Sequence, residues 1–126
     1  MLAKRAVPAT LLIVDDDARV RGLLATLLES EGYSVSQASN GKEALARCHE
    51  ALPDLVITDL VMPEQEGLET IHAICREWPH LPVIAISGAF GGAYLDFAKK
   101  LGADAVLRKP FEPDVILHEV RRLTGH

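Results

Sequence analysis

Six side chains in this 126-residue chain have the types and spacing to do chemistry together. Asp15, Asp16 and Asp17 are consecutive, Asp59 stands apart, Ser87 precedes a glycine and Lys109 precedes a proline. Each of these groups lies at or just past the end of a short apolar run. If the ends of those runs converge, the physics of the cluster is restrictive. Three or more carboxylates within a few ångströms cannot all ionise unless a cation neutralises them or some pKa values rise. Ligands that are all oxygen select a hard divalent ion, and Mg²⁺ favours one or two carboxylates, several waters and a phosphate oxygen. A carboxylate beside Mg²⁺, a lysine and a hydroxyl is equipped to attack phosphorus. Asp59 would then become an aspartyl phosphate, with the metal and Lys109 stabilising the equatorial oxygens during transfer.

Such a site needs elements that bring distant residues to one rim. Short β-rich runs recur at Leu11–Val14, Tyr33–Gln37, Leu55–Thr58, Val83–Ser87 and Ala105–Leu107, with starts 22, 22, 28 and 22 residues apart. Helical patterns lie between them. Val20, Leu23, Leu24, Leu27 and Leu28 form an i, i+3, i+4, i+7, i+8 stripe, stopped by Gly32. Asn40 with Glu43 predicts a capping box opening a helix to about Glu50. A third helix is expected from about Leu68 to Trp78 with Ile71, Ile74 and Cys75 on one side, and a fourth from about Tyr94 to Leu101, weakened at its start by Gly91 and Gly92. A fifth opens at Pro113 and carries Ile116, Val120 and Leu123. Five strand–helix alternations predict an α/β fold, a doubly wound five-stranded parallel sheet with helices on both faces. The unbroken Val/Ile/Leu runs suit strands buried on both sides. A leucine-rich solenoid would need its own signature in each repeat, and that signature is absent. In open parallel sheets ligands bind beyond the carboxyl ends of the strands, where strand order reverses, so the acids, hydroxyl and amine are expected on one rim.

Composition narrows the classes further. The length fits one domain, and 48% hydrophobic residues can form one sizeable core. The longest aliphatic runs are far too short to span a bilayer, no signal peptide is evident, and two cysteines make no disulfide framework. A cytoplasmic location is expected. The net charge of −5 argues against direct DNA binding.

Four stretches resemble a known family: Leu12–Asp17, Pro53–Pro63 with Gly67, Pro82–Ser87 and Lys109–Phe111. In this order and spacing they look like the receiver domain of a two-component response regulator, of the type typified by the chemotaxis regulator. The resemblance implies a flavodoxin-like strand order 2-1-3-4-5. It also implies that Asp59 is the phosphoacceptor, that Asp15 and Asp16 form an acidic pocket, and that Mg²⁺ is held there with Asp59 and the backbone carbonyl of Val61. Ser87 stands where the family's switch hydroxyl bonds the phosphoryl group, and Lys109 where its lysine precedes a cis peptide. The implied donor is the phosphohistidine of a sensor histidine kinase or a phosphotransfer protein. The implied chemistry is confined to the domain's own phosphorylation and dephosphorylation, so no enzyme with a separate substrate is expected.

Departures from the family pattern carry their own expectations. Val106 occupies the position, three before the lysine, where the family often has Tyr or Phe, so Ser87 and the Gly88–Gly92 loop are expected to carry the signal instead. Gln65 and Glu66 replace the usual Met and Asp with little expected effect. Val61 and Ala89, each two beyond a key residue, are apolar and cannot position an attacking water, which predicts slow self-dephosphorylation.

The expected organisation is a tail over residues 1–9 and a receiver over 10–124 with no effector domain. A stand-alone regulator is favoured over a receiver fragment of a larger regulator or hybrid kinase. Its downstream protein target would dock on the face of helix 4, strand 5 and helix 5, including Tyr94, Phe97, Val106 and Asp114–Arg122, and a homodimer formed on phosphorylation stays open. The alternative is a small phosphatase of the haloacid-dehalogenase kind with Asp15 as nucleophile and Asp17 as general acid/base, but it leaves Asp59 without a role. A dinucleotide-binding module is disfavoured by three aspartates where Gly-x-Gly-x-x-Gly would be needed. The remaining candidates read as structural: Asp17 as a helix cap, Asp54, Asp104 and Asp114 at turns and helix starts, the five histidines without metal-ligand spacing, Cys48 and Cys75 as semi-buried thiols, and Trp78 as a packing residue.

Overall fold

The computed structural model describes residues 7–60, 66–88 and 92–125, with the side chains of all of these except 66 and 92–95. Strands and helices alternate as β1 (Thr10–Val14), α1 (Ala18–Ser30), β2 (Ser34–Ala38), α2 (Gly41–Glu50), β3 (Leu55–Asp59), α3 (Glu66–Glu77), β4 (Val83–Ser87), α4 (Gly92–Leu101), β5 (Ala105–Arg108) and α5 (Pro113–Thr124). All strand pairs are parallel and the sheet order is β2-β1-β3-β4-β5. Order reverses at β1, so β1 and β3 are neighbours, with Val14 opposite Thr58. The residues that follow these two strand ends therefore face each other across the reversal point, where α/β sheets bind ligands.

Each central strand supplies two cores, because successive side chains point to opposite faces. Leu11, Ile13, Ile57, Ile84 and Ile86 pack on one side with Ala25 and Leu28 of α1 and Ile116 and Val120 of α5. Leu12, Val14, Val56, Val83 and Ala85 pack on the other with Ala44, Cys48, Ile71, Ile74 and Ala98 from α2, α3 and α4. β3 and β4 are buried throughout. The edge strand β2 alternates exposed Ser34 and Ser36 with half-buried Val35 and Gln37, which blunts it against further pairing.

Local signals act as their chemistry dictates. Asp17 accepts from the Arg19 amide at 2.9 Å and caps α1. Asn40 caps α2 by accepting from the Glu43 amide at 2.8 Å, while the Glu43 carboxylate bonds the amide of Ser39 rather than that of Asn40. Gly32, at φ 93°, and Gly125, at φ 76°, take left-handed turns after α1 and α5. Asp54 accepts from the Thr10 amide at 2.7 Å and Asp104 from the Val83 amide at 2.9 Å, so both tie strand entrances.

Several boundaries differ from the sequence expectation. β2 begins at Ser34, not Tyr33, because the Tyr33 amide still closes α1 onto the Leu28 carbonyl while its ring is buried. α3 and α4 each start two residues early, at Glu66 and Gly92; the helix propensity of Gly92 is overridden where the rest of the helix packs on the sheet. The leucine stripe of α1 is also rotated. Ala25 and Leu28 are buried, Leu24 and Leu27 half-buried, and Leu23 is 74% exposed.

Candidate functional site

The end of β1 delivers Asp15, the end of β3 Asp59, the end of β4 Ser87, and the turn after β5 Lys109. Asp15, Asp59 and Lys109 meet in one shallow cleft of about 260 Å³, lined also by Asp16, Asp17, Val20 and Gly88, and Ser87 lies just before the lining Gly88. Asp15 and Asp59 are 4% and 8% exposed, and Ser87 only 1%. The Lys109 ammonium donates to Asp59 Oδ2 at 2.8 Å and lies 3.8 Å from Asp15 Oδ2. The same lysine amide donates to the Ser87 carbonyl at 2.9 Å, and the Leu60 amide to the Ile86 carbonyl, so the ends of β3, β4 and β5 are laced together beneath the cleft. The Lys109–Pro110 peptide is cis.

Two glycines admit the close approaches this rim requires. A Cβ on Gly67 would lie 2.5 Å from the Leu60 carbonyl oxygen and 2.7 Å from that of Asp59, so the first turn of α3 rides directly on the backbone of the β3 end. A Cβ on Gly88 would meet Lys109 Cβ at 3.2 Å, so the lysine stem lies against this bare backbone on its way to Asp59.

The three consecutive acids have separate duties. Asp17 is turned to the α1 N-terminus as its cap, and this holds its carboxyl below the usual range. Asp15 is buried and accepts from the Asp17 amide at 2.9 Å. Burial first, then the neighbouring Asp59, raises the Asp15 carboxyl to about 6. Asp16 is exposed at the lip of the cleft, and its carboxylate makes no hydrogen bond or ion pair with the described residues. One ammonium therefore faces two buried carboxylates and a third at the rim. The donors are all oxygen and the charge is in excess, which fits a hard divalent cation. Among the described residues no three ligating side chains form a ready-made metal cage. Val61, Ala89 and the 89–91 part of the Gly88–Gly92 loop lie outside the described residues, as does the Tyr94 side chain.

The model of the response regulator receiver domain family matches residues 11–121. The chain belongs to the response regulator receiver domain family. It is 38% identical over 113 residues to the transcriptional regulatory protein ResD of Bacillus subtilis, covering 90% of this chain and 47% of that protein. It is 34% identical over 114 residues to the chemotaxis protein CheY of Thermotoga maritima, covering 90% and 95% of the two chains. The receiver thus spans about half the length of curated relatives such as ResD and nearly all of the Thermotoga protein. Among solved structures, the receiver domain of NtrX from Brucella abortus superposes with a TM-score of 0.87 at 31% identity, covering 91% of this chain and 98% of that one. A CheY-like receiver from Methanospirillum hungatei gives 0.87 at 29% identity, covering 94% of each. Receivers are phosphorylation-dependent signalling domains that work with histidine kinases or phosphotransfer proteins and generally use Mg²⁺. The phosphatase alternative is not favoured by these relationships, and Asp17, committed to capping α1, makes a poor general acid for it. No helix among the described residues is long and apolar enough to cross a membrane.

Asp17, Asp54 and Asp104 make a helix cap and two strand ties, Asp114 lies in the first turn of α5, and Cys75 is half-buried, whereas Cys48 is buried outright. His49 lies 3.1 Å from Glu77 and edge-on to the half-buried Trp78, and burial pushes the Cys48 thiol up to about 11. Sequence reasoning missed two features beside the receiver site. Exposed Leu23, with Val20, Leu24, Pro110 and Phe111, lines an apolar groove of about 560 Å³ that shares Val20, Gly88 and Lys109 with the cleft. Arg21 reaches back from α1 to the loop that bears Asp15, a contact for which the sequence offers no signal.

Proposed function

We propose that this receiver takes a phosphoryl group from a phosphohistidine onto Asp59, in a Mg²⁺-dependent reaction, and signals by protein contact. The observation that carries this reading is the Lys109 ammonium 2.8 Å from Asp59 Oδ2, in a cleft where Asp15 and Asp16 add further oxygen donors to a single ammonium. An Asp59 carboxylate oxygen attacks phosphorus, the new O–P bond forms as the N–P bond of the donor imidazole breaks, and the imidazole leaves with its electron pair. Lys109 exchanges its bond to the Asp59 carboxylate for one to a phosphoryl oxygen, and the Ser87 hydroxyl donates to another. Asp15, Asp16, Asp59 and the carbonyl of Val61 would hold Mg²⁺, which offsets negative charge on the transferring group.

The donor protein docks on the apolar groove of Leu23, Leu24 and Phe111, since that groove is continuous with the phosphoacceptor cleft and opens beside it. The output face is that of α4, β5 and α5. There Lys99, Val106, Val115, His118 and Arg122 line a groove of about 490 Å³ and Phe97 is exposed. The receiver unit is residues 10–124, it acts in the cytoplasm, and it reaches its target through a protein partner rather than by binding DNA itself.

Incubation with acetyl phosphate tests the reading. Asp59→Asn is expected to abolish labelling and EDTA to suppress it in the wild type. Labelling of Asp59→Asn at the wild-type rate, or labelling indifferent to EDTA, would refute it.

A further inference from the structure

Asp16 is the acid whose orientation has the least visible support. Its carboxylate is exposed and makes no bond to the described residues, so what the fold fixes is the bond from Cα to Cβ, through the two peptide planes that flank it. The plane after Asp16 is held where the Asp17 amide donates to Asp15 Oδ1 at 2.9 Å. Among the described residues, the plane before it is held through its oxygen. Arg21 Nη1 donates to the Asp15 carbonyl at 2.6 Å, and Arg21 Nε donates to Gln37 Oε1 on β2 at 3.2 Å. The Arg21 amide itself bonds the carbonyl of the capping residue Asp17. On the other side of Asp15, its amide donates to the Ala38 carbonyl at the end of β2. The acid loop is therefore clamped between the first turn of α1 and the edge strand, with the half-buried guanidinium as the clasp.

We propose that Arg21 is a positioning residue of the phosphoacceptor site: by fixing the Asp15–Asp16 peptide plane it aims Asp16 into the cleft and so sets the affinity for Mg²⁺. The inference rests on the Mg²⁺ site proposed above. Partners that orient metal ligands without touching the ion typically account for ten- to hundred-fold in affinity. Charge alone points the other way. Removing a cation beside three acids would tighten cation binding, so weaker binding separates orientation from electrostatics.

The test is calorimetric titration of the full chain with Mg²⁺ alone, with urea unfolding run on each variant. Arg21→Ala is expected to weaken Mg²⁺ by about ten-fold. Arg21→Lys, which keeps a donor for the carbonyl but loses the fork to Gln37, is expected to fall between Arg21→Ala and wild type. Asp54→Ala, which loosens the opposite end of β1, should lower stability and leave Mg²⁺ affinity unchanged. Acetyl phosphate labelling of Arg21→Ala should need more Mg²⁺ for half-maximal rate and reach the wild-type plateau. Wild-type affinity in both Arg21 variants would overturn the inference, as would an equal loss in Asp54→Ala. A wild-type protein that binds no Mg²⁺ would instead overturn the site reading, and the role of Arg21 with it.

Discussion

Asp15→Asn should make the metal-free protein more stable. The Asp15 carboxyl is held at about 6 against an ordinary 3.8, chiefly by burial and then by Asp59. The folded state therefore binds this proton more tightly than the unfolded chain does. Well below about pH 4 Asp15 is neutral in both states and costs nothing; the unfolded chain ionises first, so the penalty grows between about pH 4 and 6 and is full near pH 7. About two pKa units correspond to roughly 3 kcal/mol. The amide of asparagine keeps an oxygen to accept from the Asp17 amide and replaces the protonated oxygen that bonds Asp59, so little is lost in geometry. Urea unfolding in EDTA at pH 7 should show a gain of up to about 3 kcal/mol, on the order of 10 °C in Tm for a domain of this size. The gain should shrink toward zero near pH 4, and Mg²⁺ at pH 7 should narrow the gap by stabilising the wild type alone. A variant less stable than wild type at pH 7, or a gain of equal size at both pH values, would refute the electrostatic reasoning.

Further outcomes can be checked on the same protein. Gly67→Ala would drive a Cβ into the Asp59–Leu60 backbone, and a loss of about 3 kcal/mol is expected in urea unfolding; a loss below about 1 kcal/mol would mean that α3 does not ride so closely on β3. Leu23→Asp should slow phosphotransfer from a phosphorylated histidine phosphotransfer protein at least about ten-fold, the effect of one lost interface anchor, with acetyl phosphate labelling unchanged; equal slowing with both donors would remove the docking role of the groove. With apolar Val61 and Ala89 unable to hold an attacking water, ³²P-labelled protein should lose its label slowly. Decay within seconds would contradict that.

The fold was legible because its strands announce themselves. Leu11–Val14, Leu55–Ile57 and Val83–Ile86 are unbroken aliphatic runs, and a strand buried on both faces permits little else. β2 was less legible: its polar alternation is that of an edge, and Tyr33 serves the α1 terminus instead. The α1 stripe misled because five apolar residues span more of the helix surface than the sheet can cover, so Leu23 is left to the groove beside Phe111. Periodicity counts apolar positions without saying which are buried. Of the site, the convergence of Asp15, Asp59 and Lys109 could be anticipated from where strands end. The strand order that puts β1 beside β3 came from the resemblance, not from the residues. Arg21 could not be read at all, since a bond to a main-chain carbonyl six residues back depends on the shape of the loop and leaves no pattern of residue types.

The most direct test is to locate the phosphoryl group. Protein labelled with acetyl phosphate and Mg²⁺, reduced with borohydride and digested, is expected to carry the reduced residue at Asp59 alone. Reduction at Asp15, with Asp59 untouched, would contradict the assignment of the phosphoacceptor and with it the mechanism built around Lys109.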